Sequence, residues 1–179
     1  MNVEKQDGLS ELTKLEAALF LMKEPASSRR LSQLTEITDG TRVRRLIQEL
    51  NQRYERDNCA FAVVEVAGGY QLRTCPEFAP WLFRLQEVPV EVRLTNAAME
   101  TLAIIAYQQP VLRVTIERTR GVQCGDILRQ LMDQDLIQIT GRSEELGRPF
   151  LYGTTKHFLQ VFGLVNINEL PQKKAKSLS

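Results

Sequence analysis

Apolar residues at helical spacing open the chain. Leu12, Leu15, Leu19 and Met22 recur one turn apart and predict a first helix over residues 11–23. Glu24-Pro25 ends it, because a proline ring disfavours helix at the residue before it. Ser27 or Ser28 can cap a short second helix with Leu31, Leu34 and Ile37 facing inward. Asp39-Gly40-Thr41 reads as a turn. Val43, Leu46, Ile47, Leu50 and Tyr54 then share one face of a third helix. After Asp57-Asn58 the pattern becomes strand-like over residues 61–66. Gly68-Gly69 signals a hairpin into a second strand on which Tyr70, Leu72 and Thr74 alternate with Gln71 and Arg73. A short helix follows from about Pro76, where proline at the first turn is tolerated.

The same order returns in the second half. Tyr70-Gln-Leu-Arg-Thr-Cys-Pro-Glu-Phe78 aligns without a gap on Phe150-Leu-Tyr-Gly-Thr-Thr-Lys-His-Phe158, and Glu24-Pro25 has its counterpart in Gln109-Pro110. Thr95 is placed to cap a helix over 96–107. That helix is apolar nearly all round (Met99, Leu102, Ala103, Ile104, Ile105, Ala106), which predicts cover on more than one side. Packing within one small domain, the other half of the chain or a partner chain would each supply the second cover. A second helix over 114–120 turns Ile116 inward and stops at Gly121. A third over 126–134 turns Ile127, Leu128, Leu131 and Met132 inward. Strands over 136–140 and 150–153 flank a loop over 141–149.

Three helices, a hairpin and a closing helix, built twice, predict an α+β chain that is mainly α: two tandem winged-helix domains at residues 11–85 and 95–165. Residues 86–94 carry a proline without helical periodicity and read as a linker. Residues 1–10 and 172–179 read as flexible tails.

Charge narrows the function. Residues 1–90 hold 12 Lys and Arg against 13 Asp and Glu, and residues 91–171 hold 8 against 9. Neither half is basic, which argues against a sequence-specific DNA reader. The positive excess lies in Lys173, Lys174 and Lys176. The third helix of the first half does carry Arg42, Arg44, Arg45, Arg53 and Arg56 outward. These form either a phosphate-binding stripe or a solvated face paired with Glu49, Glu55 and Asp57. Its counterpart shows Gln123, Asp126, Arg129, Gln130 and Asp133, with Asp135 beyond, and would repel phosphate.

Candidate chemistry is sparse. The apolar runs are too short for a membrane span, and residues 1–7 lack a signal-peptide core. Cys59, Cys75 and Cys124 are an odd number without metal spacing, so free thiols in a reducing cytoplasm are expected. Cys124 opens a helix, where its thiol pKa could be lowered. The single histidine, His157, has no companions for a triad or a metal site. No catalytic, cofactor-binding or metal-binding residues are assigned. Arg148 in Gly147-Arg148-Pro149 can shape a turn or anchor an interface. Gly153-Thr154-Thr155 lets the backbone leave the strand and caps the closing helix.

Further along, the residues resemble a known family. Leu94-Thr95, Glu100-Thr-Leu-Ala-Ile-Ile-Ala-Tyr107, Gln109-Pro110, Arg120-Gly-Val122, Asp135-Leu-Ile137, Gly147-Arg-Pro149, Leu151-Tyr-Gly-Thr-Thr155, Phe158-Leu159, Phe162-Gly-Leu164 and Leu170-Pro171 fit the pattern of segregation and condensation protein B (ScpB). Glu16-Ala-Ala-Leu-Phe20, Glu24-Pro25 and Glu65-Val-Ala-Gly-Gly-Tyr70 extend it to the first half. Gly121-Val-Gln-Cys-Gly-Asp126 and Ser143-Glu-Glu-Leu146 depart from it and bear on partner specificity. The resemblance implies a non-enzymatic adaptor without cofactor, cytoplasmic and nucleoid-associated. It implies a homodimer through the first domain that binds the kleisin ScpA and, through it, SMC, serving chromosome condensation and segregation in cell division. Tyr107, Gln109, Pro110, Arg148, Pro149 and Tyr152 are the expected partner-binding residues, lining a groove on the second domain. The alternative is a winged-helix transcription regulator using the arginine-rich helix.

Overall fold

The computed structural model describes residues 10–85 and 94–171. The expected linker, apart from Leu94, and the expected tails, apart from Ser10, lie outside the described residues. The chain divides into two compact units, 1–89 and 90–179.

In the first unit α1 spans Glu11–Leu21, α2 Ser28–Thr35 and α3 Gly40–Arg56. Each begins on a side chain that accepts an otherwise unpaired first-turn N–H. Ser10 accepts from Thr13, Ser27 from Arg30, and Asp39 from both Thr41 and Arg42. Asp39 therefore starts a helix at the place where the sequence suggested a turn. Leu15, Leu19, Leu31, Val43, Leu46 and Leu50 fill the core between the helices. The second helix differs from expectation. It ends at Thr35, so its inward set is Leu31 and Thr35, while Leu34 is 58% exposed and Ile37 reaches the core from beyond the helix.

Strands β1, Phe61–Val66, and β2, Gly69–Thr74, pair antiparallel with Val66 opposite Gly69. The turn is Ala67-Gly68, both at positive φ, the two-residue form whose twist matches a hairpin. Asn51 on α3 acts as a short length of strand: its Nδ2 donates to Val63 O at 2.9 Å and its Oδ1 accepts from Val63 N at 2.8 Å. On the other edge Ala26 exchanges two backbone hydrogen bonds with Tyr70. Gly69 permits that approach, since a Cβ there would lie 2.8–3.0 Å from the Ala26 backbone. A 3-10 turn, Pro76–Phe78, leads into α4, Ala79–Leu85.

The second unit repeats the order with one addition. α5 spans Asn96–Gln108, α6 Arg113–Arg120, α7 Gly125–Asp133, β4 Ile137–Arg142, β5 Phe150–Thr154 and α8 Lys156–Phe162. The addition is β3, Val111–Leu112, which pairs with β5 and makes β5 the centre of a three-stranded sheet in the order β3-β5-β4. β4 runs two residues further than its apolar pattern suggested and carries an irregularity between Ile139 and Gly141. Thr155 fixes the exit from β5: its Oγ1 caps Phe158 N and donates to Asp135 O. The core holds Leu102, Ile105, Ile116, Leu131, Ile137 and Phe158. Both units show the helix–helix–helix–hairpin order of a winged helix. Among the described residues no helix is long and apolar enough to cross a membrane.

Candidate partner-binding surfaces

α5 has two apolar faces with different neighbours. Ala98, Leu102, Ile105 and Ala106 are buried in the core of the second unit. Met99, Ala103 and Tyr107 lie on the opposite side, exposed. Packing within the unit therefore covers one face only. The other borders a groove of about 680 Å³.

The far wall of that groove is a segment after α8. The family resemblance drew on Leu164 and Leu170-Pro171 there, with no role assigned to them. Gly163, in the left-handed conformation, ends α8. Leu164, Ile167 and Leu170 then pack back on the core. Their spacing of three is the signal in the sequence that could have added Ile167 to Leu164 and Leu170. The segment is tied down by Glu169 Oε2, which accepts from Val165 N at 2.7 Å, and by the Tyr107 hydroxyl, which donates to Pro171 O at 2.8 Å. Ala103, Ile104 and Tyr107 face Ile167 and Leu170 across the groove, with Thr119 of α6 beside them. One turn before Ala103, Glu100 lies 3.8 Å from Nη2 of the buried Arg120. The Nε and Nη1 of Arg120 have no hydrogen-bond partner among the described residues.

The expected site residues separate. Tyr107 and Gln109 line the groove; Arg148, Pro149 and Tyr152 do not. Gln109 is engaged elsewhere: its Oε1 accepts from Thr154 N at 2.7 Å and from Thr154 Oγ1 at 3.1 Å. It ties the end of α5 to β5. Pro110 follows it, exposed. Tyr152 is only 8% exposed, because β5 is the central strand, with Val111 on one side and Ile139 on the other. It is a core residue. Arg148 sits exposed in the β4–β5 loop at φ 45°, with its N–H bonded to Glu145 O and its carbonyl accepting from Arg142 Nη1. Pro149 accepts from Ser143 N in the same loop.

The first unit has an apolar surface of its own. Phe20 and Leu21 at the end of α1 are 72% and 77% exposed. Phe20 and Phe61 border a cleft of about 500 Å³ floored by Tyr54 and Leu72. The Tyr54 hydroxyl donates to Glu16 Oε1 at 2.8 Å, and burial followed by that carboxylate holds its pKa well above the ordinary phenol value.

The remaining candidates carry little chemistry. His157 is exposed on α8. Cys124 is buried, and burial, reinforced by the Glu117 carboxylate, pushes its thiol up rather than down. Desolvation outweighs the helix N-terminus there. Among the described residues no three His, Cys, Asp or Glu side chains come together as a metal site. On α7 the exposed residues are mixed, with Asp126 3.7 Å from Arg129. One reading of the sequence expected the α3 arginines to pair with Glu49, Glu55 and Asp57; of these only the Asp57 pairing forms among the described residues. Arg42 pairs with Glu11, and Arg53 and Arg56 with Asp57.

Known proteins match along most of the chain. The family model of the segregation and condensation complex subunit ScpB matches residues 13–173. Segregation and condensation protein B of Syntrophotalea carbinolica is 45% identical over 160 residues, covering 89% of this chain and 80% of its own. Its namesake in Brevibacillus brevis is 42% identical over 159 residues, covering 88% of this chain and 81% of its own. The crystal structure of ScpB from Mycobacterium tuberculosis is 28% identical, covers 87% of this chain and 98% of that one, and superposes with a TM-score of 0.41.

Proposed function

The chain belongs to the family of the segregation and condensation complex subunit ScpB, and on that premise we propose that it is a non-catalytic adaptor of an SMC condensin-like complex. In this reading it is a homodimer that binds the kleisin ScpA and works on the chromosome through it. The first unit, 11–85, serves self-association and the second, 95–165, kleisin capture. It acts in the cytoplasm, associated with the nucleoid through the complex.

The observation that carries the reading is the second face of α5. A helix with Ala103 and Tyr107 outward, beside a groove walled by Ile167 and Leu170, offers a partner segment apolar contact on both sides. Small and aromatic residues side by side suit such a seat: the small one admits the partner's backbone and the aromatic one supplies area. Phe20 and Leu21 of the first unit are an exposed apolar pair of the kind that a symmetric dimer covers.

Co-expression with ScpA followed by size-exclusion chromatography tests the assignment. Ala103→Glu places a charge in the groove without touching the core. It is expected to weaken ScpA capture at least about thirtyfold, the equivalent of roughly 2 kcal/mol, with the melting temperature unchanged. Capture at the wild-type level would place the kleisin elsewhere.

A further inference from the structure

We propose that the first unit also holds the phosphate backbone of duplex nucleic acid, without reading its sequence, through arginines gathered where α2 and α3 begin. This goes beyond the adaptor role and needs no contact with the kleisin.

The two helix starts touch. Arg44 on α3 donates to Ser28 Oγ on α2 at 3.2 Å and to Thr41 Oγ1 at 3.2 Å, which holds its guanidinium against both helices. Arg29 and Arg30 follow Ser28 on α2, and Arg45 follows Arg44 on α3, one turn after Arg42; all are exposed. The carboxylates in this region are occupied or distant. Glu11 pairs with Arg42. The Asp39 carboxylate accepts the first N–H groups of α3, which chiefly hold its pKa down, and it offsets part of the charge of Arg44 and Arg45 nearby. Glu36 lies at the far end of α2. Arg29, Arg30, Arg44 and Arg45 are in no ion pair among the described residues. A unit without net positive charge thus places these four arginines at one edge, while Arg73 and Arg84 lie on β2 and α4.

That edge is also where helices in this order meet a duplex. The first helix of the pair sets its start on the backbone and the second enters the groove by its start. Arginine is the side chain that matches phosphate oxygens in pairs. The clefts that could seat an extended acidic peptide, around Tyr54 and Phe61, contain none of these arginines, which favours a duplex as occupant. Further along α3, Glu49 and Glu55 are exposed and unpaired among the described residues. They keep the rest of that helix off the phosphates, so contact stops at its first two turns and sequence goes unread.

Fluorescence anisotropy of the full chain with two unrelated duplexes of about 30 base pairs, at roughly 50 and 200 mM salt, tests this. Equal affinity for both duplexes, falling steeply with salt, is expected. Arg29→Gln/Arg30→Gln/Arg45→Gln should weaken binding more than tenfold and flatten the salt dependence by about three phosphate contacts. Arg45→Gln alone should weaken it about threefold with an unchanged melting curve, which separates lost contact from lost fold. The proposal is overturned by absence of duplex binding at the lower salt, or by equal binding of wild type and triple variant. It is also overturned if Lys173→Gln/Lys174→Gln/Lys176→Gln abolishes binding while the arginine variants keep it. Capture of polyglutamate without capture of duplex would assign the edge to an acidic polypeptide instead.

Discussion

The amide of Gln109 closes the gap between the end of α5 and the last residue of β5. Both bonds that its Oε1 accepts come from Thr154, so Gln109→Ala leaves a half-buried N–H and hydroxyl without their acceptor. The expected cost is about 1–3 kcal/mol, read as a shift of the urea midpoint. Gly153→Ala attacks the same joint from the other side, since a Cβ there would come within 2.7 Å of Thr140 Cγ2 and 2.9 Å of Gln109 Oε1. Tyr54 gives a residue-scale dependence on pH. Its folded pKa is raised, first by burial and then by the Glu16 carboxylate. A phenol that holds its proton more tightly when folded contributes fully below the unfolded value of about 10. That contribution is lost as pH rises above it. Chemical denaturation from pH 9 to 11, at roughly half-unit steps around that value, should show stability falling, and Tyr54→Phe should flatten the fall. Tyr70, also raised by burial, leaves a residual slope.

The elements show what a pattern of apolar residues can and cannot carry. α1, α3, α5, β1 and β2 were legible because each is long enough for several repeats of its period. Of their helix caps Thr95 was read as such, while Asp39 passed for a turn and Ser10 for part of a tail. β3 was not legible: two residues hold no period. Yet β3 decides which side of β5 is covered, and with it the place of Tyr152 in the core. Tyr152 was read for the interface as an aromatic on the wing, and residue type does not report which neighbours a short strand brings. Gln109 lines the groove and also ties α5 to β5. The segment after α8 entered the family pattern at Leu164 and Leu170-Pro171, but its role as a wall was not read, because its three contacts are spread over an irregular path. Leu170→Ala should cost the second unit about 1–2 kcal/mol. Hydrogen exchange should show the amides of residues 164–170 opening before those of α5, since few contacts hold them.

At the scale of the whole molecule, two cores serve one chain. The first is built around Leu15, Leu31 and Leu50 and the second around Leu102, Ile116 and Leu131. Damage to one should leave the other standing. Leu50→Ala removes a fully buried side chain and should cost about 2–5 kcal/mol. Calorimetry should then resolve an early transition belonging to the first unit, with the second melting near its original temperature. One transition at a uniformly lower temperature would mean that the units unfold together. Self-association belongs to this scale too. Phe20→Glu is expected to turn a dimer into a monomer by light scattering while both transitions persist. The division of charge fits the same picture, since an even balance within each unit hid the arginines that gather at one edge of the first.

The hydroxyl of Tyr107 on the Pro171 carbonyl joins positions 64 residues apart. The chain therefore passes residue 171 directly beside the groove. A dye attached at Pro171→Cys, an exposed position whose backbone carbonyl still accepts from Tyr107, with Cys59 and Cys75 replaced and Cys124 shielded by burial, would sit at the mouth of the site. Its emission would turn an occupancy otherwise seen only by co-purification into an optical titration.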